Sequence, residues 1–292
     1  MLNEKVVRTI CWSAAVVLLL SILVLVVFRK SGIFAGIFRG SLINDEEGFV
    51  LGDSYYVPAD IIESINVEWI SGKVFIEPYD GRDIAFEEKA SRKLESDEKL
   101  VYEVRNGTLY IKFFESRGVS FFSEDSISKF LTVRIPYGLA GDLKDLQISS
   151  VSGAIIANDL KSKNTFIEST SGDIRLAGFV SEEIGVNCTS GAVDLEGSFD
   201  EVRIAVVSGN ITVTGTSCPR KVTMVSVSGN AELRIPENEG FDVEFDNVSG
   251  SFTCEFPIVI EKDGGTYKDG GASISMETVS GDLAIKRIAD QN

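Results

Sequence analysis

The chain has 292 residues, 28 Lys plus Arg against 44 Asp plus Glu, a net charge of -16, and no histidine. Without histidine there is no Ser-His-Asp or Cys-His triad, no histidine-ligated zinc, iron or haem, and no imidazole pH switch. The acidic balance argues against a nucleic-acid partner, whose phosphates need neutralising Lys and Arg. Four cysteines without a C-x-x-C pair make neither a disulfide framework nor a zinc cage.

In chain order, the first element is apolar. Ile10 to Phe28 reads ICWSAAVVLLLSILVLVVF, 19 residues without a charge. As a helix that run is about 28 Å long, close to the hydrocarbon thickness of a bilayer. No small-x-small cleavage site follows it closely, so residues 1–30 read as an uncleaved single-pass transmembrane anchor and 31–58 as a juxtamembrane linker. Lys5 and Arg8 precede the span, and Arg29, Lys30 and Arg39 follow it, so the positive-inside rule gives no clear vote. Residues 41–292 carry 23 basic and 43 acidic side chains, a net of -20 that will not lie on an anionic leaflet. The expectation is a cell-membrane protein whose body stands on the extracytoplasmic side.

Residues 59–145 read as an N-terminal β section that caps a repeat array or inserts into it. DIAFEEKAS is a strand; LVYEVRNGTLYIKF (100–113) is a hairpin with Asn106-Gly107 at its turn; KFLTVRIP (129–136) is another strand, closed by Pro136.

Residues 146–292 read as the repeat array itself. Ser-Gly pairs stand at Ser71-Gly72, Ser152-Gly153, Ser171-Gly172, Ser190-Gly191, Ser208-Gly209, Ser228-Gly229, Ser249-Gly250 and Ser280-Gly281. From Gly153 the glycines are spaced 19, 19, 18, 20, 21 and 31 residues apart. Apolar residues recur two and four positions after each glycine (Ile174 and Leu176, Val193 and Leu195) and five and seven before it (Val186 and Ile184, Ile204 and Val202), with polar residues between. Period-two alternation on both sides of a turn predicts two half-buried strands per unit. Such a unit cannot bury its apolar face alone, and stacking units in register gives a β-solenoid, so the fold class is all-β. The glycine supplies a backbone conformation for a tight corner, and the serines are expected to form an internal polar ladder. Small residues three before the glycine (Ser150, Ser169, Cys188, Ser226, Thr278) suit a narrow corner. The 261–273 segment, EKDGGTYKDGGAS, reads as a loop that lengthens the last repeat, with Asp282 to Asn292 closing the array.

The units VSGNITV (207–213), TSGDIRL (170–176), VSGNAEL (227–233) and VSGDLAI (279–285), with NGTLYIKF and the VRIP strand ahead of them, resemble the bacterial membrane-anchored "putative adhesin" β-strand-repeat family of unknown function. The resemblance covers roughly residues 60–288. It implies a β-solenoid and an envelope setting, and has no catalytic residues to carry over.

Candidate chemistry is thin. Asp194 and Glu232 share an outward position two coils apart, about 10 Å at about 4.8 Å per coil, near the separation of an inverting glycosidase pair. Thr212 between them and Arg175 and Thr253 beside them read instead as a solvated β-face. Asp263–Asp269 could hold a hard cation but matches no calcium-loop pattern. Cys188 and Cys254 lie three coils apart, too far for a disulfide, and the sequons at Asn106, Asn187, Asn210 and Asn247 fall in strands and turns. Catalytic, metal and cofactor residues are therefore expected to be none. The leading expectation is a non-enzymatic envelope protein, held in the lipid bilayer through Ile10–Phe28, whose acidic β-solenoid binds a wall polymer or protein. A self-associating scaffold at the membrane comes second, and a carbohydrate-active enzyme third.

Overall fold

A computed structural model of the chain describes residues 49–114, 127–261 and 263–288. The expected anchor Ile10–Phe28 lies outside them; among the described residues no helix is long and apolar enough to cross a membrane. The alternating pattern folds as read. Strands stack parallel and in register, so that Ser71, Ser152, Ser171, Ser190, Ser208, Ser228, Ser280 and Ser249 lie on successive coils. Each coil gives one strand to a ladder before the Ser-Gly corner and one to a ladder after it. Leu146, Ile148, Ile184, Val186, Val202 and Ile204 line the core from the first ladder, and Ile155, Ile174, Leu176, Val193, Leu195 and Val213 from the second.

The corner differs from the expectation in one respect. The Ser-Gly serines do not point inward: those from Ser171 onward are exposed. The inside of the corner is taken by the stacked glycine backbone and by the residue three positions earlier. Ser150 and Ser169 are buried there and donate to the carbonyls of Gly153 and Gly172 at 3.5 and 3.3 Å, leaving no inner room for a second polar side chain. Outside, residues just past the glycine accept from the next coil: Ala192 N–H donates to Asp173 Oδ1 (2.9 Å), Asn230 N–H to Asn210 Oδ1 (3.1 Å), and Asp282 N–H to Asn230 Oδ1 (2.9 Å).

Coil order is the second correction. The Gly281 coil does not close the array; it is inserted between the Gly229 and Gly250 coils, with Lys221–Ser228 and Gly240–Ser249 on its two sides. Ser251 N–H then donates to Asp282 Oδ1 at 2.7 Å. Asp282 can receive from one coil and be seated on another, whereas Ser251 has no carboxylate or amide oxygen to offer onward, so it suits the last place. Cys188 and Cys254 are in consequence one coil further apart than expected, and both are free thiols. The expected loop at 261–273 contains a strand, Gly264–Lys268, antiparallel to Gly240–Ser249 on its outer side, with Val259–Glu261 beyond it.

The N-terminal end repeats the device. Ser64–Tyr79 is itself a coil stacked on Leu143–Asn158, so the expected boundary at 145/146 falls inside a strand. Thr108–Lys112 and Lys129–Pro136 form the next coil out, without a Ser-Gly pair. The hairpin turn is as read, with Asn106 at φ 52° and Gly107 at φ 76°. Asp83–Ala90 covers Lys129–Pro136 antiparallel, and Val50–Pro58 covers Asp83–Ala90, so the last part of the expected 31–58 linker is an edge strand of the fold. Antiparallel strands thus cover the N-terminal end of the parallel stack and the Gly240–Glu244 part of its other end, which blunts the open edge a solenoid otherwise presents.

A methyl group at a corner glycine has no space. A Cβ on Gly191, at φ 146°, would overlap the carbonyl of Gly172 one coil away, while one on Gly138 meets nothing within 4 Å. Gly191→Ala is expected to cost about 2–4 kcal/mol of stability from backbone strain and overpacking. Gly138→Ala, inside the short helix Tyr137–Ala140, is expected to change it by no more than about 1 kcal/mol, and upward. Chemical-denaturation midpoints of the two variants check this.

Candidate binding groove and the buried cluster at its end

The second turn of each coil, opposite the Ser-Gly corner, is less tightly filled. There a groove of about 1120 Å³ runs along the stack, from Ala59–Glu63 past Asp142–Lys144, Lys161–Lys163, Val180–Glu182 and Ser198–Asp200 to Ser217 and Cys218. It crosses six coils, about 24 Å at about 4.8 Å per step. Its floor is a buried row, Leu143, Ser162, Ser181 and Phe199, in one register column. The hydroxyls of that floor satisfy one another and the backbone: Thr165 and Ser181 are 3.1 Å apart, and Ser181 donates to Glu183 O at 2.9 Å. The walls are charged, with exposed Lys144, Lys161 and Lys163 beside Glu63, Asp142, Glu182 and Asp200.

No catalytic constellation lines it, and the residues singled out as carboxylate candidates lie elsewhere. Asp194 and Glu232 do share an outward row with Thr212 between them. Arg175 faces Asp194 at 3.5 Å, while Glu232 is held by Arg234 and by Lys286 at 2.9 Å. Partial burial works to raise the Glu232 carboxyl, but the bonds from Lys286 and Arg234 outweigh it and hold it below the usual carboxylate range. A general acid needs the opposite shift. At the Gly/Asp segment Asp242 accepts from Thr266 Oγ1 at 2.8 Å. Among the described residues no group of three His, Cys, Asp or Glu could hold a metal. Burial pushes the Cys188 and Cys218 thiols up to about 11, which leaves them unreactive near neutrality.

One cluster escaped the sequence reading. Lys129 occupies the register position of Gly72 in the outermost parallel coil, and its side chain is fully buried. Its ammonium meets Glu88 Oε2 and Glu98 O, both at 2.8 Å, and the carbonyl of Phe113, and lies 4.1 Å from the Phe113 ring centre. Glu88 Oε1 also accepts from Leu100 N–H at 2.9 Å. Burial lowers the Lys129 pKa, against the raising effect of Glu88. This is a structural plug: an uncharged neighbour on either side would strand a buried charge. Only the alternation of DIAFEEKA, which places Glu88 on the apolar parity of Ile84 and Phe86, could have flagged it.

A family model, Toastrack DUF4097, matches residues 62–226 and again 142–286, an overlap that a translational repeat permits. Among solved structures, a putative adhesin from Bacteroides fragilis NCTC 9343 is 15% identical, with 82% of this chain and 98% of that one covered, at a TM-score of 0.46. A putative cell adhesion protein from Clostridium sporogenes ATCC 15579 is 15% identical, covering 81% and 98%, at a TM-score of 0.35. A putative lipid binding protein from Parabacteroides distasonis ATCC 8503 is 11% identical, covering 84% and 98%, at 0.30. No curated protein matches the chain.

Beside the plug, Arg92 donates to both oxygens of Glu98, at 2.8 and 2.7 Å, and this bond above all lowers the Glu98 carboxyl from 4.5 to about 2. The folded chain binds fewer protons than the unfolded one between those values, so the contribution is whole above pH 4.5 and fades as pH falls toward about 2. Glu98→Gln is expected to lower stability at neutral pH and to make it fall less steeply through that acid window, as read from denaturant midpoints across pH.

Proposed function

The chain belongs to the Toastrack DUF4097 family, and on that premise we propose that it is a non-enzymatic, membrane-anchored envelope protein whose acidic β-solenoid binds a macromolecular partner. The observation that carries this reading is the groove: long, open, charged on both walls, and lined by no nucleophile–base pair. An enzyme pocket encloses a small substrate and excludes water. A trough that crosses six coils instead offers repeated contacts to an elongated macromolecular partner, each weak and all in one register.

The anchor in this reading is Ile10–Phe28, and the side is extracytoplasmic. The -20 net charge of residues 41–292 keeps the body off anionic lipid and leaves its faces free for a partner beyond the membrane. End-to-end scaffolding is the weaker reading, because antiparallel strands cover one end of the stack and part of the other. A carbohydrate-active enzyme is weaker still, since Asp194 and Glu232 are each held by a cation.

Protease treatment of intact and lysed cells, with an epitope at the C-terminus, tests the placement. Loss of the epitope in intact cells is the expected result. Protection until lysis, in a lysate where the chain is demonstrably cut, would put the body inside and end the envelope reading.

A further inference from the structure

We infer that the partner along this groove is a second copy of the same chain, paired antiparallel through a column of charges that is its own complement. The column is built by register. Ser64, Asp145, Asn164, Glu183, Glu201 and Lys221 lie on successive coils, so the residues just before them stack as Glu63, Lys144, Lys163, Glu182, Asp200 and Arg220. The Lys144 N–H bond to Glu63 O at 2.9 Å and the Arg220–Asp200 contact at 3.4 Å fix the two ends of the column. All six side chains are exposed, and five of them line the groove.

The signs run minus, plus, plus, minus, minus, plus. Turning a second copy by a half-turn about an axis between Lys163 and Glu182 reverses that order. Glu63 then faces Arg220 of the second copy, Lys144 faces its Asp200, and Lys163 faces its Glu182, each contact occurring twice as an isologous interface requires. Parallel pairing would set every charge against its own kind. A slip of one coil sets Glu182 against Glu182 and Lys144 against Arg220, or Lys163 against Lys163 and Glu63 against Asp200. One antiparallel register therefore satisfies the whole column and its neighbours do not, which is how surface charge confers specificity more than affinity.

Two further observations fit a second copy. Lys144, Lys161, Lys163, Glu63 and Glu182 take no ion-pair partner among the described residues, although the protein carries a large acidic excess. Val180, 39% exposed in the groove, pairs in register with Lys161. The same half-turn lays it on the aliphatic stem of Lys161 of the second copy. The pairing also sets the edge strands Val50–Pro58 of the two copies at opposite ends. If each carries the proposed anchor Ile10–Phe28, the pair joins two facing surfaces. Only that last consequence rests on the anchor; the pairing itself does not.

The net charge of each copy opposes association at long range, so pairing should peak near about 0.1 M salt, where the Debye length is about 10 Å, and weaken toward about 1 M, where it is about 3 Å. Sedimentation of the full chain in a non-ionic detergent reads this directly, whichever side of the membrane the body occupies. The expected results are a dimer for the unaltered chain and dimerisation weakened roughly tenfold or more by Lys163→Glu, which makes two facing pairs alike. The double variant Lys163→Glu, Glu182→Lys keeps the column self-complementary and should restore the dimer. Circular dichroism confirms that each variant is folded. A chain that stays monomeric at all salt concentrations overturns the inference. So does a dimer indifferent to Lys163→Glu, or a folded double variant that fails to recover.

Discussion

The structure depends on how closely successive corners stack. At seven of the eight Ser-Gly pairs the glycine sits against the carbonyl of the glycine one coil away, and at Gly72 against that of Lys129; φ lies between 105° and 156° at every one but Gly153. A side chain there would both strain the backbone and collide with the neighbouring carbonyl. Because the corners cannot be bulkier, all coils share one rise and one register. The register in turn sends residues at fixed offsets from the glycine to the same side: Val186 and Ile184 inward, Asn187 and Gly185 outward, coil after coil. Core packing, the hydroxyl bonds of Ser150 and Ser169, and the outer Asp and Asn bonds are all consequences of that spacing.

A column with no intrinsic end needs ends imposed on it. At the N-terminal side Lys129 takes the glycine position, and its long side chain turns into the space beneath Trp69 and Phe113, where Glu88 meets it. Trp69 Nε1–H donates to Lys129 O at 2.9 Å, which ties the Gly72 coil to the outermost parallel coil. At the other side the ladder of outer Asp and Asn residues stops at Ser251, and Phe241, Phe256 and Tyr267 pack together under the antiparallel hairpin. The two ends solve one problem by different chemistry, a buried ion pair and an aromatic cluster. The joint made by the inserted Gly281 coil is the less perfect one: Ser226 Oγ and Thr278 Oγ1 are buried there without a partner.

What was legible in the sequence depends on which constraints are local. The Ser-Gly period, the inward parity and the Asn106-Gly107 hairpin are each written within a few residues, and each folds as read. Coil order is not local. The Gly250 and Gly281 units carry the same motif, and what separates them is whether residue 251 or 282 can accept a backbone bond from a further coil. The inward Ser-Gly ladder failed for a related reason: parity alone points those serines in, but the corner reverses it. Lys129 was hidden because it stands in a glycine's place, where only the cross-chain register with Gly72 reveals it. The carboxylate pair was legible as a row but not as chemistry, since Lys286 reaches Glu232 only through the inserted coil.

The groove lies at the limit of such reading. Glu63, Lys144, Lys163, Glu182, Asp200 and Arg220 are separated in sequence by 81, 19, 19, 18 and 20 residues, and no window of the chain shows them as a set. A solenoid converts that spacing into a line of charges one strand apart. Insertions elsewhere do not disturb it, because the corner glycines hold the rise constant wherever the chain has travelled between coils. The same property keeps Gly72 stacked on Gly153 although the two are 81 positions apart in sequence. A recognition surface of this kind is encoded by register and not by neighbours, so changing one of its charges leaves the fold intact while changing what the groove can face.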